Sequence, residues 1–286
     1  MEAFFLSAAQ GQRFCLLHMP PAGQAVLGGV VYIHPFAEEL NRSRRRAAQQ
    51  ARAFAQAGIA VLQMDLDGCG DSSGEFGEAT WASWVADVLL ARRHLAGRLG
   101  CAPQALWLWG LRSGCLLATA ALAQEAETDD AQKASPGAAG LLFWQPVLSG
   151  QQHLNQFLRL KVATDLVQGK HGAGTADMVQ QLLSGQPVEV GGYTVAPGLA
   201  RGLALANLDA LGTGLPAPRV VCCEVSGTSD CALSPALTAQ LARWQACGLQ
   251  ATSHVVPGPL FWQTEDIAGC PELHAASLQA VLGERA

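Results

Sequence analysis

The sequence predicts an α/β chain, with a mainly parallel central sheet, helices on both faces and a cap inserted late in the sheet. Three observations carry that expectation. Short apolar, strand-like runs alternate with helix-like segments over most of the chain. One strand runs through a glycine-flanked turn into a helix of small residues, at Trp109-Gly110-Leu111-Arg112-Ser113-Gly114-Cys115. The alternation fails once, between residues 146 and 218. With 286 residues, half of them hydrophobic and only 14% charged, the chain is long and apolar enough to bury a sizeable core.

Taken in order, residues 4–8 and 14–18 read as a hairpin around Gln10-Gly11-Gln12, ended by Pro20-Pro21. The apolar run 26–33 enters the loop His34-Pro35-Phe36 as a central strand would enter a functional loop. Asn41 is the expected cap of a helix that runs to about Ala57 and stops at Gly58. Residues 59–64 form the next buried strand. Residues 81–99 are amphipathic, with Trp81, Trp84, Val85, Val88 and Leu89 at helical spacing. The strand at 106, a helix to about 126, a polar connection at 128–136 and a strand at 140–145 follow.

Residues 146–218 hold Gly/Gln-rich turns, one expected helix at 176–183 and a β-like piece at 188–195. The sheet pattern resumes at 219–225, with a helix at 234–247, a strand at 250–256 and a last helix at 264–282. The expected organisation is therefore a core of residues 1–145 and 219–286 and a cap of residues 146–218. Such a cap would shape a pocket between itself and the sheet.

In a parallel sheet, ligands bind beyond the carboxyl ends of the strands, so those loops carry the candidates. The stretch around Arg112 resembles the G-x-S-x-G nucleophile elbow of α/β-hydrolases, but the central position holds Arg112 and the serine comes one place later, at Ser113. His34-Pro35-Phe36 resembles the oxyanion-hole segment of the same superfamily, where a backbone N–H near Phe36 or Ala37 would join that of Ser113. Asp230 is placed for a triad acid. No histidine follows Gly258, where a base belongs.

Three outcomes stay open. His34 could activate Ser113; Glu38, Glu39 or Asp71 could act as a base for water; or the site could bind without chemistry. Arg112 has two readings of its own: a buried ion pair with Glu38, Glu39 or Asp71, or a planar donor group for a ligand carboxylate or phosphate. Phe36, Glu39, Gln145, Trp262 and Gln263 complete the expected binding loops.

These residues together resemble the exosortase A system-associated hydrolase 2 family. The likeness rests on residues 34–45, residues 65–76, Trp109-Gly110-Leu111-Arg112 and Pro259-Leu260-Phe261-Trp262-Gln263-Thr264. It implies an α/β-hydrolase fold and an intracellular bacterial protein linked to exopolysaccharide production. The hydrolase label of that family follows from fold similarity and does not settle a reaction.

Composition narrows the partners. A net charge of −5 offers no broad basic surface for nucleic acid, and the one basic cluster, Arg42-Ser43-Arg44-Arg45-Arg46, reads as part of a helix. Residues 1–10 carry Glu2 and no cationic segment before an apolar run, unlike a signal peptide. No apolar run approaches the ~20 residues that span a bilayer, so a cytoplasmic location is expected. Nine cysteines, an odd number without C-x-x-C spacing, read as small buried residues rather than metal ligands. The expected partner is a small acyl or anionic molecule; no metal and no cofactor is expected, and the oligomeric state is not legible.

Overall fold

The computed structural model describes residues 1–128, 137–170, 172–212, 219–227, 232–264 and 269–283. The chain opens with a hairpin, β1 (Glu2–Ser7) and β2 (Gln12–His18), turning at Gly11, whose φ of 68° suits glycine. Then come β3 (Gly28–Ile33), α1 (Glu38–Gln56), β4 (Ile59–Met64), α2 (Trp81–Leu99), β5 (Leu106–Leu111), α3 (Gly114–Thr128) and β6 (Gly140–Trp144). An excursion of α4 (Gly150–Val167), α5 (Thr175–Leu183), the two-stranded β7 (Val188–Val190) and β8 (Tyr193–Val195), and α6 (Pro197–Leu205) precedes β9 (Arg219–Ser226), α7 (Pro235–Ala246), β10 (Gln250–Pro257) and α8 (Pro271–Leu282).

The eight-stranded sheet has the order β1-β2-β4-β3-β5-β6-β9-β10. β1 and β2 run antiparallel to their neighbours, and every pairing from β4 to β10 is parallel. This is the α/β architecture the alternating pattern predicts, and β4 and α2 begin and end where the sequence places them.

Strand alternation sends β5 into two cores. Leu106 and Leu108 join α2, α3 and α7 on one face, while Trp107, Trp109 and Leu111 join Ala47, Ala51 and Phe54 of α1 and Leu273 of α8 on the other. The β6–β9 excursion packs into the first of these cores through Leu154, Leu158, Leu199 and Leu203, so it is anchored to the sheet's covering helices.

Several sequence expectations need correction. α1 starts at Glu38 rather than being capped by Asn41; Ala37 precedes it with φ 50°, a turn no side-chain cap accompanies. The excursion holds α4 and α6 as well as the expected helix. The single β-like piece at 188–195 is a hairpin turning through Gly191 and Gly192, both at positive φ. α8 begins at Pro271, later than the expected 264.

Candidate functional site

The site forms where β3, β5 and β6 end. Each of the three strands is followed by a non-glycine residue at positive φ: Ala37 at 50°, Arg112 at 55° and Gln145 at 44°. Among the described residues no other non-glycine residue adopts such a backbone. Strain of this kind costs of order 1–3 kcal/mol per residue and gathers at functional sites. The turn at Arg112 is clamped to β6, its N–H donating to Trp144 O at 2.9 Å and its carbonyl accepting from Cys115 N at 3.1 Å. Gly110 and Gly114 are required by close approach. A Cβ on Gly110 would sit 2.6 Å from Cys115 N, and one on Gly114 would collide with the Ile33 carbonyl at the end of β3.

Arg112 thus stands at the tip of the elbow, with its side chain 15% exposed. Its Nε donates to Glu39 Oε1 at 3.2 Å, and its guanidinium lies 5.6 Å from the ring centroid of Trp262. No hydrogen bond of its Nη groups to protein is formed among the described residues. Of the three carboxylates open to it from sequence, Glu39 is the partner. Burial pushes the Glu39 carboxyl up to about 7, against the opposing pull of the Arg112 charge.

Two hollows flank this arginine. One, of about 290 Å³, lies between α1, α4 and the loop after β10 and is lined by Phe36, Glu38, Glu39, Arg42, Arg112 and Trp262 among others; Gln263 sits at its exposed rim. The other, of about 320 Å³, lies between the loop after β6 and α7, with Gln145, Ser149, Gln152, Glu224 and Ser234 in its wall. Gln145 is held to the sheet, its Oε1 accepting from Val225 N at 2.8 Å. Glu224 accepts from the N–H and hydroxyl of Ser234 at 2.8 and 2.6 Å.

Both hollows share Arg112, His153 and Gln156. His153 and Gln156 belong to α4 and escaped the sequence reading, because Gly150-Gln151-Gln152 reads as a turn. The available signal was Ser149 as a cap followed by Leu154, Phe157 and Leu158 at helical spacing. His153 is 5% exposed, its ring edge-on to Phe36 at 6.0 Å between centroids. Burial, with the nearby Arg112 charge, lowers its pKa to about 3, so the imidazole is neutral at ordinary pH.

Buried polar atoms without a hydrogen-bond partner gather here. On the lining residues they are Glu39 Oε2, both ring nitrogens of His153 and Trp262 Nε1, while Ser113 Oγ is unpartnered on a residue that lines neither hollow. Native interiors rarely leave such groups unmatched.

The remaining expected residues are placed as follows. Ser113 is buried directly after the elbow tip. His34 has no free ring nitrogen for it, since Nδ1–H donates to Pro35 O at 2.8 Å and Nε2 accepts from Leu66 N–H at 3.2 Å. Burial depresses its pKa and keeps it neutral. The second of these bonds ties the loop after β3 to the loop after β4. Asp71 is exposed on that second loop, its N–H donating to Asp65 Oδ2, and it lines neither hollow. Asp65 is itself paired through both oxygens with Arg44. Asp230 lies outside the described residues. No group of three or more metal-ligating side chains occurs among the described residues, and no helix there is long and apolar enough to cross a membrane.

The strand order and the elbow define an α/β-hydrolase fold, and comparison with solved structures agrees. The chain is similar to Est1E from Butyrivibrio proteoclasticus, seen with ferulic acid bound, at 15% identity and a TM-score of 0.65 over 98% of this chain and 99% of that one. A thermostable carboxyl esterase from Bacillus coagulans is 13% identical, with a TM-score of 0.66 over 99% and 98%. A soluble variant of monoglyceride lipase from Saccharomyces cerevisiae is 13% identical, with a TM-score of 0.61 over 98% and 93%. No family model matches the chain, and no curated protein matches it in sequence.

Proposed function

We propose that the chain hydrolyses a small ester or thioester at the hollow beside Arg112, with a degenerate triad in which water replaces serine as the nucleophile. The observation that carries this reading is Glu39. One of its oxygens is engaged by Arg112, the other is buried without a partner beside the hollow, and its pKa of about 7 suits a general base. Glu39 would take a proton from water as the oxygen attacks the acyl carbon. The backbone N–H groups of Ser113 and of Phe36 or Ala37 would hold the oxyanion. Collapse would expel the alkoxide or thiolate, which regains the proton from Glu39.

The fold supports the reading, since the neighbours named above include esterases and a lipase of the same architecture. Short acyl esters and acyl-CoA thioesters test it. Turnover that rises with pH through about 7 and falls at least 100-fold in Glu39→Gln, while Ser113→Ala keeps most of it, is the expected result. Equal activity in Glu39→Gln, or none in the unaltered protein, would overturn it.

A second reading is a non-catalytic binding or accessory protein that anchors an anion on Arg112. The unmatched donors around that side chain favour it. Under either reading, we place the protein in the bacterial cytoplasm beside exopolysaccharide and exosortase systems, on the strength of the motif likeness at residues 34–45, 65–76 and 259–264. Loss of exopolysaccharide on deleting the gene, restored by the unaltered chain, is the result expected there; unchanged export would count against it.

A further inference from the structure

We propose that the hollow between α1, α4 and Trp262 binds a small organic monocarboxylate, its carboxylate on the Nη edge of Arg112 and its apolar body against Phe36, Phe157 and Leu160. This rests on the reading that the chain meets its ligand at the elbow, and it names the class of that ligand.

The argument begins with what Arg112 has left to offer. Glu39 takes Nε, and Trp262 covers the guanidinium at 5.6 Å, so the unengaged part is the planar Nη edge, a fork that matches a carboxylate. Two side chains of this hollow, both more than nine-tenths buried, stand unpartnered beside it, His153 and Trp262. Trp262 Nε1 can only donate, and the neutral His153 ring offers one donor and one acceptor. A ligand with two oxygens and no protons of its own fits the Nη edge, Trp262 Nε1 and the His153 donor, with the unpartnered Glu39 Oε2 a further donor when that carboxyl is protonated.

Charge then limits the anion. The ionisable groups of this hollow are Arg42, Arg112, Glu38 and Glu39, with His153 neutral. Below about pH 7, where Glu39 is protonated, the balance is one positive charge, which a monoanion cancels and a dianionic phosphate exceeds. The body of the ligand follows from the lining. Phe157 meets Phe36 edge-on at 5.0 Å, and Leu160 beside them is 48% exposed, an apolar side chain left open at the mouth.

The test compares isosteric pairs on the full chain, benzoate against benzamide and hexanoate against hexanamide, by titration calorimetry, with phenyl phosphate as the dianionic probe. The expected result is a Kd at least tenfold lower for each carboxylate than for its amide and than for phenyl phosphate. Arg112→Lys keeps the charge and removes the fork, and should lose most of that preference. Leu160→Trp fills the mouth without touching the elbow and should weaken both members of a pair. Equal binding of acid and amide, tighter binding of phenyl phosphate, or an undiminished preference in Arg112→Lys overturns the proposal. Carboxylate binding with no ester turnover would sink the hydrolytic reading and leave this one standing; turnover sensitive to Glu39→Gln without any carboxylate preference would do the reverse.

Discussion

Two arginines set into this fold meet opposite ends. Arg13, 3% exposed, is finished by the protein: Nε pairs with Asp87 at 2.8 Å, Nη2 with Asp67 at 2.9 Å, and Nη1 donates to Gln10 O at 2.8 Å. Arg112 is 15% exposed, and among the described residues its side chain is hydrogen-bonded through Nε alone. A buried guanidinium whose fork is filled by the chain is a strut, here fastening β2 to the loop after β4 and to α2. One whose fork is left open beside a hollow is poised for something the chain does not contain. Arg13 meets two carboxylates and a carbonyl and Arg112 a single carboxylate, so the difference lies in how many donors the chain itself answers.

The widest separation between the two is expected in stability. Arg13→Met leaves Asp67 and Asp87 together without their cation and should cost about 4 kcal/mol, as breaking buried pairs does. Arg112→Met should cost about half of that, because Glu39, already held near pH 7, takes up a proton when its partner leaves. Chemical denaturation of both variants at pH 6 checks the ranking, and equal losses would erase the distinction between strut and open fork.

Acidity sharpens the contrast next. Glu39 has a folded pKa raised to about 7, so between roughly pH 4.5 and 7 the native state holds a proton that the unfolded chain has released. Stability from this group is therefore present at low pH and is lost as pH rises through that window, by about 3 kcal/mol at 1.36 kcal/mol per unit. In Glu39→Gln this loss should vanish, so the variant gains on the unaltered protein from pH 4.5 to 8. Parallel stability curves would deny the shift.

His153 works in the opposite direction and on a smaller scale near neutrality. Its folded pKa is depressed to about 3, so the unfolded chain takes up a proton below about pH 6.5 while the native ring does not. Stability is lost as pH falls, by about 1 kcal/mol between pH 6.5 and 5.5. His153→Phe should remove that acid sensitivity; a variant as acid-labile as the parent would place the cause elsewhere.

Much of the frame could be read from sequence because it depends on local pattern. β4 and α2 were bounded by apolar periodicity, and β4 also by Gly58; the structure adds Thr80 and Gly100 as the caps of α2. The helix start at Glu38 was not legible, because the backbone turn at Ala37 has no side-chain cap to announce it. α4 hid behind a polar first turn, and with it His153, whose burial comes from Phe36 and the packing of α4 on α6. Asp71 looked as eligible as Glu39 in sequence, since both are acids in strand-end loops; only the structure puts one against Arg112 and the other on the surface.

The sequence by itself determined the class of fold, the elbow, and the replacement of its central serine by Arg112, because glycine placement and hydrophobic period act within one or two elements. Tertiary structure decided which carboxylate answers that arginine, how much of its fork stays open, and that a histidine from α4 lines both hollows beside it. Those are contacts between residues up to 73 positions apart, as with Glu39 and Arg112. Their energies depend on burial and charge around them, which no local pattern encodes.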